Sequence, residues 1–229
     1  MRRTAALGIS FIACLLGLGS VAAQPADGPI AEWPYYGGDA GGSRYSELIQ
    51  INKTNVAALQ VAWEYHTGDV SDGSNGRRKS AFETTPIVVE GTMYLTTPFN
   101  RVIALNPETG VAKWSFDPKL DLAGPYSEGL INRGVTLWTD AARASGACRQ
   151  RIFLATIDAR LFALDAATGQ PCVDFGSGGY VDLTRGIPNI KRRGEYQETS
   201  PPAVVGDLVI VGSSVADNDR VDCPSGVVL

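Results

Sequence analysis

Apolar residues in this chain fall in short runs rich in Val, Ile, Leu, Tyr and Phe, cut at close intervals by Gly, Pro, Asn and Asp. Such punctuation predicts β-strands joined by tight turns. Residues 82–117, FETTPIVVEGTMYLTTPFNRVIALNPETGVAKWSFD, divide into four strands at 85–89, 92–96, 101–105 and 112–116. The same order returns in RGVTLWTD and QRIFLATIDARLFALDAATGQPCVDFG, where LFALDAATG repeats the turn of VIALNPETG. Trp114 and Phe175 then occupy the same aromatic slot, at the end of each fourth strand. A third repeat begins at TSPPAVVGDLVIVGSSVADN and reaches SGVVL inside its third strand. Before the first repeat, LQVAWEYHTGD (59–69) reads as a lone fourth strand with Trp63 in the slot.

Repeated units of four antiparallel strands predict an all-β fold, a β-propeller built from four-stranded blades. A β-sandwich also stacks hairpins, but nothing in it requires one turn sequence at the same place in successive units. A propeller has roughly four to eight blades, whereas two full repeats, part of a third and one strand are present here. The chain is therefore expected to be the N-terminal portion of a longer propeller, with the lone strand closing the last blade. An open arc leaves strand edges and apolar faces uncovered, so poor stability is expected of it alone.

Residues 1–23, MRRTAALGISFIACLLGLGSVAA, have the basic start, short apolar run and small-residue cut site of a secretory signal peptide, leaving 24–229 as propeller. Cys14 suggests a lipoprotein cut, but Phe11-Ile12-Ala13 fits that signal poorly and the apolar run continues past it. A periplasmic location follows as an expectation. The whole chain has 20 Lys plus Arg and 24 Asp plus Glu; removing the two arginines of 1–23 leaves 18 against 24, a formal charge of −6. That balance argues against a nucleic-acid partner. The basic runs GRRKS and IKRRG read as solvated loops. In an oxidising compartment, Cys148 before one strand and Cys172 after the next meet at one end of a hairpin, which predicts a disulfide against the alternative of two buried thiols. Cys223 is left over.

Candidate chemistry is sparse. Asp217 and Asn218, after the run VIVGSSVA, serve either as turn formers or as oxygen ligands of Ca²⁺ or Mg²⁺. DGSNGRRKSAFE imitates a calcium loop but has Arg77 where the sharp turn needs Gly. His66 is the single histidine and no nucleophile elbow accompanies it, which excludes a hydrolase triad. FGSGGY lacks the spacing of a phosphate-binding loop and reads as a loop.

The pattern ALNPETGVAKW, with its echo in ALDAATG, resembles the tryptophan-docking motif of the pyrroloquinoline quinone (PQQ) dehydrogenases. WPYYGGDAGGSRYSELIQINKTNVAALQVAWEYHTGD is similar to the start of their catalytic domain, and CRQRIFLATIDARLFALDAATGQPC, YQETSPP and GSSVADN resemble the membrane-type glucose dehydrogenase branch. The resemblance runs from Trp33 to Leu229. It implies an eight-bladed propeller with PQQ on its axis beside a divalent cation, Ca²⁺ or Mg²⁺. The implied activity is oxidation of a sugar, polyol or other alcohol, with electrons passed to membrane quinone or cytochrome c. By the same resemblance Glu83, Arg133, Thr199, Ser214, Val215 and Ala216 contact the cofactor, and Asp217 and Asn218 hold the cation.

Taken singly, Glu83 reads equally as an exposed strand-start residue and Thr199 as part of a turn, whereas the planar fork of Arg133 suits carboxylate or quinone oxygens. The family's catalytic aspartate corresponds to a position beyond Leu229, so the catalytic base is unassigned and the chain alone is expected to be inactive. His66 stands where the branch has Arg, and Gly129 where it has a His near the quinone. No adjacent Cys pair occurs. The reading from a different class is a non-catalytic propeller that scaffolds periplasmic protein assembly.

Overall fold

The computed structural model describes residues 32–215 and 221–222. Two four-stranded antiparallel sheets dominate it. The first has β1 (Ile87–Val89), β2 (Thr92–Thr96), β3 (Val102–Leu105) and β4 (Ala112–Phe116) in sequential order. The second has β5 (Thr136–Thr139), β6 (Gln150–Ala155), β7 (Arg160–Asp165) and β8 (Tyr180–Asp182), again sequential. Next come β9 (Tyr196–Gln197), the hairpin β10 (Ala203–Val205) and β11 (Leu208–Ile210), and β12 (Ser214–Val215), which returns to pair with β9. Each sheet is one propeller blade. A short 3-10 turn at Val56–Ala58 is the one helical element among the described residues.

Local chemistry explains the hairpins. Glu90 and Gly91, both at positive φ (47° and 66°), make the two-residue turn between β1 and β2, a geometry that matches strand twist. Asn106 accepts the N–H groups of Glu108 and Thr109 after β3. In the next blade Asp165 accepts those of Ala167 and Thr168, and its second oxygen takes the N–H of Cys148. Burial pushes the Asp165 carboxyl up, but these hydrogen bonds prevail and hold it below the usual carboxylate range. The two repeated turns are one device built with Asn or Asp.

The core lies between the blades because the inner strands are apolar on both faces. Tyr94, Val102 and Ala104 of the first blade pack against Ile152, Leu154, Phe162 and Leu164 of the second. The alternate residues Phe153, Ala155, Leu161 and Ala163 face Tyr196, Val204, Val209 and Val211 of the third unit. A one-residue offset thus assigns each side chain to one of two interfaces. Trp114 bridges the first interface: its Nε1 donates to the carbonyl of Ala166 at 3.0 Å, and Tyr94 Oη donates to the same oxygen at 3.1 Å. Trp63 repeats the contact one blade earlier, donating to Pro107 O at 3.0 Å. Each indole lies on the glycine of a TG turn. A Cβ on Gly110 would come 2.6 Å from Trp63, and one on Gly169 would come 2.5 Å from Trp114.

Two expectations change. Residues 59–69 form no strand, although Trp63 is docked; a strand is defined by ladder bonds, and among the described residues nothing pairs with this segment. Phe175 is not on the fourth strand of its blade. It sits in a turn, 5.5 Å from Phe153 in an edge-to-face contact, and β8 forms further on at Tyr180. Gly176, Gly178 and Gly179, all at positive φ, let the chain turn before it pairs. The expected disulfide is present: Cys148 and Cys172 are bonded across the β6–β7 hairpin with a Cα separation of 5.8 Å. Cys223 lies outside the described residues.

Candidate functional site

The segments leading into β1, β5 and β10 run side by side, held by backbone hydrogen bonds. Leu130 N–H donates to Lys79 O, Ala81 N–H to Leu130 O, Thr85 N–H to Arg133 O and Arg133 N–H to Thr199 O, at 2.9–3.1 Å. Corresponding positions of three successive repeats therefore become spatial neighbours. Glu83, Arg133 and Thr199 meet there. Arg133 Nη2 lies 2.9 Å from Glu83 Oε2, and Arg133 Nη1 donates to Thr199 Oγ1 at 2.5 Å. The Arg133 and Glu83 side chains keep 34% and 39% of their surface exposed, so the pair is open to a ligand from solvent.

Asn132, which the sequence did not single out, supports this rim. It is buried, donates through Nδ2 to Ala155 O at 2.9 Å and accepts the Gly134 N–H at 3.1 Å. The backbone on either side of Arg133 is thereby fixed. An asparagine before an arginine carries no signal by itself; its role depends on the adjacent blade.

Ser214 and Val215 are in β12, opposite Gln197 and Tyr196. Ser214 Oγ donates to Glu128 Oε1 at 3.2 Å, and Gln197 Nε2 donates to Ser127 Oγ at 2.7 Å, tying β9 and β12 to the loop that precedes Leu130. Val215 packs instead among the apolar residues of the second interface. Ala216, Asp217 and Asn218 lie outside the described residues. Gly129 has φ +78°, and a Cβ there would approach Lys79 O to 2.8 Å. The backbone pairing that forms the rim therefore excludes an imidazole-bearing residue at this position. His66 is exposed and lies 3.6 Å from Glu64.

Among the described residues, Cys148, Cys172 and Asp174 are close enough to share a metal, but both sulfurs are consumed by the disulfide. Two buried acids lie near the rim in sequence. Glu198 is fully buried and, among the described residues, neither carboxyl oxygen has a hydrogen-bond partner; burial pushes its pKa up to about 8. Tyr126 is also pushed up by burial, with the nearby charges of Asp158 and Asp121 adding to the shift.

The donor set fits a planar ligand rich in anionic oxygens. Arg133 offers a fork, Thr199 offers a hydroxyl, the Ser214 hydroxyl is engaged by Glu128, and Gly129 and Gly134 carry no side chain where the backbone runs close. These are the groups that would hold a carboxylated quinone. Residues 33–229 match the family described as "PQQ: Glucose/ethanol/alcohol dehydrogenase, beta-propeller domain". The quinoprotein glucose dehydrogenase of Gluconobacter oxydans is 37% identical over 89% of this chain and 26% of its own length. The glycerol dehydrogenase large subunit of the same organism is 38% identical over 90% of this chain and 27% of its own. The solved quinohemoprotein alcohol dehydrogenase from Comamonas testosteroni superposes with a TM-score of 0.61 at 32% identity, covering 81% of this chain and 24% of that one. This chain thus spans about a quarter of the length of the curated relatives that it matches. It belongs to the PQQ-dependent glucose, ethanol and alcohol dehydrogenase β-propeller family.

Proposed function

We propose that this chain is part of an exported, periplasmic dehydrogenase that oxidises a sugar or polyol and passes the electrons to membrane quinone or a cytochrome c. The observation that carries this reading is the Glu83–Arg133–Thr199 cluster, assembled from equivalent positions of three repeats. A scaffold has no need to place a partly exposed guanidinium and its hydroxyl partner there. When bound, PQQ supplies a two-electron acceptor for hydride, and a divalent cation supplies Lewis acidity at the quinone.

The chain's own residues bind and orient. Arg133 presents its fork to carboxylate or quinone oxygens, Glu83 fixes the other side of that fork, and Thr199 presents its hydroxyl. Asp217 and Asn218 are the proposed oxygen ligands for Ca²⁺ or Mg²⁺. The test uses the product of the full reading frame that contains residues 24–229, titrated with PQQ and Ca²⁺ while an artificial acceptor is reduced by aldoses and polyols. Turnover that needs both additions and disappears in Asp217→Ala supports the reading. A folded product that binds neither refutes it and favours the scaffold.

A further inference from the structure

The segment DGSNGRRKSAFE, which imitates a calcium loop in sequence, folds as a short hairpin that leads into the first rim segment. Asp72 bridges to Lys79, Ser80 N–H donates to Ser71 O at 2.9 Å, and Arg77 N–H donates to Ser74 O at 3.1 Å. Asn75 and Gly76 are the central residues of its turn, at φ 54° and 73°. Asparagine and glycine tolerate that left-handed backbone better than other residues do. Both are exposed, and nothing lies within 4 Å of where a Cβ on Gly76 would stand. Among the described residues the Gly76 N–H has no hydrogen-bond partner, and the Asn75 carboxamide donates only to Ser74 Oγ, at 3.3 Å.

A carboxamide carbon in this position is an electrophile within reach of the next backbone nitrogen, since a five-membered ring closes between them. The other described asparagines each lack part of the arrangement. Asn106 is followed by Pro107, which has no N–H. After Asn55 the Val56 N–H is given to Asn52 O, after Asn100 the Arg101 N–H to Thr97 Oγ1, and after Asn132 the Arg133 N–H to Thr199 O. Asn100 and Asn132 are also buried. The Asn52 carboxamide oxygen already accepts the Thr54 N–H and hydroxyl at 2.9 and 2.6 Å, and Lys53 has a side chain where Gly76 has none. Asn189 is followed by the β-branched Ile190.

We propose that Asn75 is a site of spontaneous covalent modification, with water as the co-reactant. The Gly76 nitrogen gives up its proton and bonds to Asn75 Cγ; the Cγ–Nδ2 bond breaks, ammonia leaves and a succinimide ring closes. Water then opens either ring carbonyl. One product is aspartate, and the other is isoaspartate, whose backbone runs through Cγ and is one methylene longer. Each adds a negative charge beside the exposed Arg77 and Arg78. Isoaspartate also lengthens the turn ahead of Lys79, whose carbonyl takes the Leu130 N–H at 2.9 Å and aligns the segment that carries Glu83. The modification is independent of what the rim binds.

The experiment holds the folded full-reading-frame product at about pH 6 and about pH 9 and maps its peptides by mass spectrometry, with chromatography separating aspartyl from isoaspartyl forms. The peptide containing Asn75 should gain about 1 Da, in two separable forms, ahead of any change at Asn52 or Asn55. The gain should be faster at the higher pH, because attack needs the deprotonated amide. Asn75→Gln, which would have to close a six-membered ring, and Gly76→Ala, which crowds the nitrogen, should each slow it about tenfold or more. An unchanged Asn75 after Asn52 or Asn55 has reacted overturns the proposal. So does a gain confined to protein unfolded in urea, since the folded turn would then protect the residue.

Discussion

The docking of Trp114 on Gly169 can be tested with one methyl group. In Gly169→Ala the added Cβ would lie 2.5 Å from Trp114 Cε3 and 2.7 Å from Cδ2, while the backbone must keep φ +72°. The left-handed conformation costs an L-residue about 1–2 kcal/mol. Overpacking the indole adds about 1–3 kcal/mol, and displacing it breaks the bond to Ala166 O, worth about 1 kcal/mol. The sum is about 3–6 kcal/mol. Gly91 is the control, because its φ is +66° and nothing lies within 4 Å of a Cβ there. Gly91→Ala should therefore cost only the backbone share, about 1–2 kcal/mol. Urea unfolding followed by tryptophan emission measures the difference, which should be at least about 2 kcal/mol. In a Trp114→Ala background Gly169→Ala should fall to the level of the control, so the two sites couple in a double-mutant cycle. Equal losses at Gly91 and Gly169, or an undiminished loss without the indole, would refute steric docking as the reason for this glycine.

Replacing both Cys148 and Cys172 by Ser should destabilise the protein by about 3.5 kcal/mol, the loop-entropy value for a separation of 24 residues, and added reductant should bring wild type to the same unfolding midpoint. Glu198 has a folded pKa of about 8, above the ordinary value of 4.5, so the stability from its bound proton is complete below about pH 4.5 and is lost as pH rises through about 8. Melting temperature should decline across that window by the equivalent of up to about 1.4 kcal/mol per pH unit, and Glu198→Gln should flatten the slope. Asn132→Ala should cost about 2–4 kcal/mol, because two buried bonds go and the Gly134 N–H is orphaned; a change under about 0.5 kcal/mol in chemical denaturation would show that Asn132 does not hold the rim. Arg133→Lys should weaken PQQ binding about tenfold or more with little change in melting temperature, since an ammonium cannot reproduce the fork; unchanged affinity would remove Arg133 from the site.

Much of the blade architecture was legible because turn chemistry is local. Asn106 and Asp165, each followed by a Thr-Gly, specify the same turn without help from distant residues, and the apolar runs between such turns had to be strands. The lone strand at 59–69 and the fourth strand of the second blade were misplaced for one reason: a strand depends on its neighbour. Trp63 docks through its side chain, which a sequence motif records, whereas ladder bonds need a partner that the motif does not contain. Phe175 kept an aromatic contact but lost its strand to a glycine-rich detour.

The candidate site divides in a similar way. The family resemblance singled out Glu83, Arg133, Thr199 and Ser214, which residue type alone left as polar groups near strand ends, and residue order placed Cys148 and Cys172 at the same hairpin end. That much is decided by covalent order and local turns. Only the tertiary structure brought Glu83 and Thr199 to opposite sides of Arg133, because backbone bonds between successive blades convert repeat-equivalent positions into neighbours. Only it set the Lys79 carbonyl where a Cβ on Gly129 would lie, gave Asn132 its supporting role and buried Glu198. Ionisation and packing depend on what surrounds a group, and those surroundings come from blades separated by tens of residues.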